Sequence, residues 1–185
     1  MASLILVKHS IVTPDPDVPP KQWRLTTEGR ERCRKLATAL RSFKPEVIVS
    51  SDEPKATETA ELLATRLKLG WHSEADLDEH RRPYEPELEF HASMQRFFAA
   101  PEERAFGDES AMEAHTRFAA AIESALAREP ERNVVIVSHG TVIALYAAPY
   151  FQVGAAALWA RLESPSFVVI DRETSRGAAI IDSLD

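Results

Sequence analysis

Three short aliphatic runs constrain this chain more than any other feature. Leu4–Val7, Val47–Val49 and Val134–Val137 all lack the apolar–polar alternation of a strand with one wet face. Such runs suit strands buried on both sides, as in a parallel sheet covered by helices. Each is followed by a segment of helical character, the order that βαβ units require. All three also close on polar residues: Lys8-His9-Ser10, Ser50-Ser51 and Ser138-His139-Gly140. Ligands of open α/β sheets bind beyond the carboxyl ends of the strands. As parallel neighbours, the three runs would bring two imidazoles, a lysine and several hydroxyls to one crevice.

The intervening segments support this reading. After a proline-rich loop, Thr26 can cap a helix whose Cys33, Leu36, Leu40 and Phe43 share one face. A second helix follows the second strand, with Ser51 or Asp52 as its cap, Pro54 in its first turn and Gly70 as its stop. Lys55 then lies in that first turn, where free backbone N–H groups favour anions. A third helix spans residues 110–128 and packs through Phe118, Ile122, Ala125 and Leu126. Residues 167–182 predict two strands joined by a polar turn at an antiparallel edge. Together these features predict a pocket for a phosphate-like group.

Composition narrows the alternatives. With 185 residues the chain fits one domain, 1–185. A formal net charge of −7 argues against nucleic acid or an anionic membrane as partner. Residues 140–160 carry no formal charge, but Pro149, Gln152 and Gly154 interrupt them. They therefore predict a buried helix, a turn and a second helix rather than a membrane span. The single cysteine, Cys33, reads as core packing and fits a reducing cytoplasm, and no signal peptide is expected. The phosphate loop, the dinucleotide fingerprint, zinc motifs and the G-x-S-x-G elbow are all missing from the sequence. No metal or cofactor is expected.

The order of the motifs resembles that of the histidine phosphatase superfamily, which includes the phosphoglycerate mutases. Lys8-His9-Ser10 stands at the family's Arg-His-Gly. "SSDEPKATETA" follows its Ser-Ser-Pro-Leu-x-Arg-Ala-x-x-Thr-Ala, keeping Ser50, Ser51, Ala56, Thr59 and Ala60 and placing Lys55 at the arginine. Leu77 and Glu79 match a Leu-x-Glu segment, Gly107 to Ser110 a Gly-Glu-Ser-like piece, and Ser138, His139 and Gly140 the final Ser-His-Gly.

The resemblance implies a fold and a chemistry. The fold is α/β, a mixed, mostly parallel sheet flanked by helices on both faces, phosphoglycerate mutase-like. His9 would attack phosphorus and become a phosphohistidine. Lys8, Lys55 and His139 would hold the phosphoryl oxygens, with Ser10 and Gly140 in the same phosphate-binding set. Glu79 would protonate the leaving oxygen and then activate water, with Asp78 and Glu109 as alternative donors. Neighbouring cations would keep His9 neutral, and a bound dianion would raise the Glu79 pKa. Arg81 and Arg82 could reach the ligand from an insert at 81–98 that shapes the entrance. His72, His80, His91 and His115 read as surface or structural residues, and Ser51 and Thr59 as braces of the second helix.

Both expected arginines are lysines here, and lysine is a point charge where arginine offers a planar fork. The expected activity is a metal-independent phosphatase, tuned differently or weakened, whose partner is a phosphorylated small molecule or phosphoprotein. Two alternatives stand beside it: a noncatalytic phosphate- or phosphopeptide-binding module, and a mutase-like phosphoryl transferase.

Overall fold

The three aliphatic runs form the centre of a six-stranded sheet in the computed structural model, which describes residues 2–184. The elements in chain order are β1 (Ser3–Lys8), α1 (Thr27–Leu40), β2 (Val47–Ser50), α2 (Pro54–Leu67), β3 (Trp71–Ser73) and α3 (Glu87–Ala99). Then come α4 (Ala111–Arg128), β4 (Val134–Ser138), α5 (Gly140–Phe151), α6 (Ala155–Arg161), β5 (Ser166–Asp171) and β6 (Arg176–Ile181). Strand order is β3-β2-β4-β1-β5-β6. The β3–β2, β2–β4 and β4–β1 pairs are parallel, and β1–β5 and β5–β6 are antiparallel.

The absence of alternation in the strands is explained by two cores, one on each face. Leu4, Leu6, Val134 and Ile136 join Phe97, Phe118, Ile143 and Leu158 of α3, α4, α5 and α6. Ile5, Val7, Val135 and Val137 join Leu36, Leu40 and Leu63 of α1 and α2 on the other face. Phe97 and Phe118 are fully buried, and truncating either to alanine costs about 3–5 kcal/mol at such sites. The uncharged stretch at 140–160 is the buried helix α5 followed by α6, bent by 117°. No single helix among the described residues is long and apolar enough to cross a membrane.

Helix boundaries match the sequence expectation at α1 and α4 but not at α2. Thr26 accepts from the Gly29 amide at 2.9 Å, and Ser110 forms a reciprocal capping box with Glu113. At α2 the cap position is Glu53, not Ser51 or Asp52, and its side chain caps nothing. The helix ends at Lys68 in the left-handed region, φ 59°, two residues before Gly70. A carboxylate at the N-terminus of a helix ordinarily serves that helix. Here Glu53 is turned elsewhere, into the crevice at the strand ends.

Candidate active site

Register brings the three strand ends level. Lys8 pairs with Ser138 and Ser50 with Val137. The ladder continues one residue further, with His9 N donating to the Ser138 carbonyl at 2.9 Å and Ser51 N to that of Val137 at 2.9 Å. A cleft of about 1140 Å³ opens beyond these ends. His9, Glu53, Lys55, Glu79, Arg81 and Arg82 line it, with Trp23 and Tyr84 at its sides.

The His9 ring is buried, with its Nδ1 2.7 Å from the Ser10 carbonyl. A carbonyl only accepts, so Nδ1 carries the proton and Nε2 keeps its lone pair. The His9 pKa lies well below the ordinary 6.5, chiefly through burial, then through His139, Lys55 and Lys8, against the opposing Ser10 bond. The cations lower it as the sequence suggested, but burial contributes most.

His139 is completely buried, and its ring meets that of His9 edge to face, centroids 5.2 Å apart. Its Nε2 lies 2.9 Å from the Ser51 hydroxyl, and its Nδ1 has no hydrogen-bond partner among the described residues. Burial, then Lys55, hold its pKa well below 6.5 despite Glu79.

The two lysines occupy different depths. Lys8 Nζ donates to the Leu162 carbonyl at 2.7 Å. Its side chain passes so close to Gly140 that a Cβ there would stand 3.2 Å from Lys8 Cε. A side chain at position 140 would thus press on the lysine. Burial holds the Lys8 ammonium below its usual range, against the pull of Glu79 and Glu163. Lys55, 4% exposed, donates to the Pro20 carbonyl at 2.8 Å and forms a buried ion pair with Glu53.

Glu79 sits on the cleft wall, with Oε1 accepting from His80 N at 2.9 Å and Oε2 from Thr141 N at 3.3 Å. Burial pushes its pKa up, but His139, the two amides and Arg82 outweigh it, so the net shift is downward. Glu79 is therefore ionised in the free protein. Of the other two candidate donors, Glu109 is committed to Arg117 through contacts of 2.6 and 3.1 Å. Asp78 lines the cleft with Asp52, and burial followed by that neighbour pushes its pKa up to about 6.

The remaining candidates separate. Arg82 lines the cleft with its guanidinium 4.1 Å above the Phe90 ring, and its Nε is buried without a partner among the described residues. Arg81 is half-exposed and paired with Asp76 at 3.1 Å, at the rim. The Ser10 hydroxyl is not in the cleft; it donates to the Gly29 carbonyl at 2.7 Å, bracing β1 against α1. His80 is buried against Phe97 and Phe106. Thr59 accepts from Ser10 N at 3.1 Å, and Ser51 from Glu53 N at 3.2 Å.

Two charged residues in contact with the site escaped the sequence reading. Glu53 stands where the motif quoted above has leucine, and Arg117 emerges from the face of α4. Arg117 donates to the Asp76, Asp78 and Glu79 carbonyls at 2.8, 3.2 and 3.2 Å, clamping the segment that carries Glu79. The one available signal was the motif register at Glu53; nothing marked Arg117.

Two histidines therefore stand at the carboxyl ends of adjacent parallel strands of an α/β sheet, with Lys8 and Lys55 close by. The chain belongs to the histidine phosphatase superfamily (branch 1), whose family model matches residues 8–180. Among solved structures, a mycobacterial glucosyl-3-phosphoglycerate phosphatase is 22% identical, with 98% of this chain and 99% of that one covered at a TM-score of 0.76. A phosphoserine phosphatase from Entamoeba histolytica, in complex with 3-phosphoglyceric acid, is 15% identical over 99% and 98% at a TM-score of 0.79. The alpha-ribazole phosphatase from Shigella flexneri is 21% identical over 98% and 96% at 0.74. At these identities the likeness is one of fold. Among curated protein sequences none matches this chain significantly.

Proposed function

We propose that this protein is a phosphomonoesterase acting on a small phosphorylated molecule through a phosphohistidine at His9. The observation that carries this reading is the 2.7 Å contact between His9 Nδ1 and the Ser10 carbonyl, which leaves Nε2 unprotonated on the cleft wall. In the first half-reaction the Nε2 electron pair forms the N–P bond while the bond from phosphorus to the leaving oxygen breaks. Glu79 enters this step protonated, having taken a proton from solvent as the phosphoryl dianion binds beside it, and gives that proton to the leaving oxygen. In the second half-reaction Glu79 takes a proton from water, whose oxygen attacks phosphorus. The N–P bond then breaks, returning the electron pair to Nε2 and releasing inorganic phosphate. Lys55, Arg82 and His139 hold the non-bridging oxygens, and Lys8 adds positive charge from behind. Each charge-assisted hydrogen bond is worth about 1.5–3 kcal/mol, roughly tenfold to a hundredfold in rate when realised in the transition state.

One observation favours a second reading, a phosphate-binding module without turnover. Both cradle lysines are already engaged, Lys8 by the Leu162 carbonyl and Lys55 by Glu53. Incubation with p-nitrophenyl phosphate separates the two. Turnover and an acid-labile phosphoryl group on His9, both lost in His9→Ala, support the phosphatase. Phosphate binding with neither turnover nor label assigns the protein to the second reading.

A further inference from the structure

We propose that Glu53 is a resident anion of the phosphoryl cradle: substrate phosphate binds by displacing its carboxylate from Lys55, and Glu53 thereby sets the anion affinity of the site. This inference rests on the reading of the cleft as a phosphoryl site and adds a residue that governs it.

The geometry places Glu53 among the groups that phosphate would need. One carboxylate oxygen pairs with Lys55 Nζ. The other accepts from Glu79 N at 3.1 Å and lies 3.8 Å from His139 Nε2. The same carboxylate acts electrostatically on Arg82. Two of the groups assigned to the non-bridging oxygens, Lys55 and His139, therefore already face one carboxylate. Glu53 lines the cleft, whereas His139 is fully buried and does not. Glu53 is thus a cleft-lining group that lies against His139 Nε2.

The position is also unusual as helix chemistry. Glu53 is the cap residue of α2 and makes no capping bond, although an acidic side chain there could serve the free amides of the first turn. Its carboxylate instead satisfies a buried lysine, which would otherwise carry an uncompensated charge. A carboxylate is a weaker match for this cradle than a phosphoryl group, because it offers two oxygens and one charge. Exchange of one anion for the other keeps Lys55 neutralised throughout, at the cost of weaker phosphate binding. Weak binding of the product also shortens its residence in the site.

Glu53→Gln tests this directly, because the amide oxygen can still accept from Glu79 N while the charge is gone. Inorganic phosphate affinity is measured by calorimetry on the wild type, Glu53→Gln, Glu53→Leu and Glu53→Asp. Glu53→Gln and Glu53→Leu are expected to bind phosphate at least tenfold more tightly, and Glu53→Asp no more tightly than the wild type. The phosphate-induced rise in melting temperature should be larger in Glu53→Gln than in the wild type, since phosphate then supplies the missing partner of Lys55. Unchanged or weaker phosphate binding by folded Glu53→Gln overturns the proposal, and that variant decides if Glu53→Leu does not fold. The two proposals fail separately. A wild type that labels His9 while Glu53→Gln binds phosphate no better disposes of the resident anion alone. A wild type without turnover or label, with tighter binding in Glu53→Gln, disposes of the phosphatase reading alone.

Discussion

The rings of His9 and His139 meet edge to face at 5.2 Å, both buried, and His139 opposes protonation of His9. Two imidazoles this close and this dry are stable together as neutral rings. The nucleophilic role proposed for His9 needs that state.

Imidazole NMR should therefore find both rings neutral at pH 6.5 and still mostly neutral near about pH 6, where an ordinary histidine is largely charged. His9 should show the Nδ1–H tautomer set by the Ser10 carbonyl. A His9 resonance titrating at or above 6.5 would contradict the geometry. So would an Nε2–H tautomer.

Stability should fall as the solution is acidified below about pH 6.5. His9, His139 and His80 all have pKa values lowered by burial, so the unfolded chain binds protons there that the folded chain refuses. Their stabilisation is complete above the unfolded pKa and is lost as pH falls toward the folded values. Each contributes a slope of up to about 1.4 kcal/mol per pH unit. Asp78 acts with the opposite sign: its pKa, raised to about 6, favours the folded state as pH falls through that value. It offsets part of the histidine loss. Urea denaturation at three pH values between about 7.5 and 5.5 measures the net slope, and a flat profile would contradict it.

Gly107 lies between the segment bearing Arg81 and Arg82 and the start of α4, with φ +88°. A Cβ there would stand 2.3 Å from the Arg81 carbonyl, which accepts from Asp108 N at 2.8 Å. Gly107→Ala combines a strained backbone with a clash against main chain, so a loss of about 1–3 kcal/mol is expected. Because the clash moves the arginine segment, KM for phosphate esters should rise as well. A melting temperature equal to that of the wild type would show that the turn relaxes without cost.

The sequence displayed the parts of the site that strand register controls. Lys8, His9, Ser51 and His139 follow aliphatic runs directly, so locating the strands located them. It hid the parts that depend on where long side chains turn. Glu53 looks like an ordinary acidic residue at a helix start, and only its distance from Lys55 and Glu79 N places it in the cradle. Ser10 erred the other way: its place in the motif suggested a ligand contact, but the hydroxyl finds Gly29 across the β1–α1 packing. Strand β3 was invisible because its three residues, Trp71–Ser73, are exposed and form no aliphatic run.

Arg117 offers the sharpest separation of stability from chemistry. Its guanidinium pairs with Glu109 through two nitrogens, and both partners are about nine-tenths buried. The remaining N–H groups reach the carbonyls of Asp76, Asp78 and Glu79. Arg117→Met leaves the Glu109 carboxylate buried without its partner, and a loss of about 3–5 kcal/mol is expected. Adding Glu109→Leu removes that stranded charge and should recover part of the stability, the rest staying lost because the Arg81 amide and the three carbonyls are left unpaired. The double variant should not recover turnover, because the three carbonyls remain without donors and the segment carrying Glu79 is no longer fixed. Denaturation and kcat measured on the same two variants decide the matter. If kcat returns with stability, Arg117 serves the fold alone; if stability returns without kcat, Arg117 positions the proton donor.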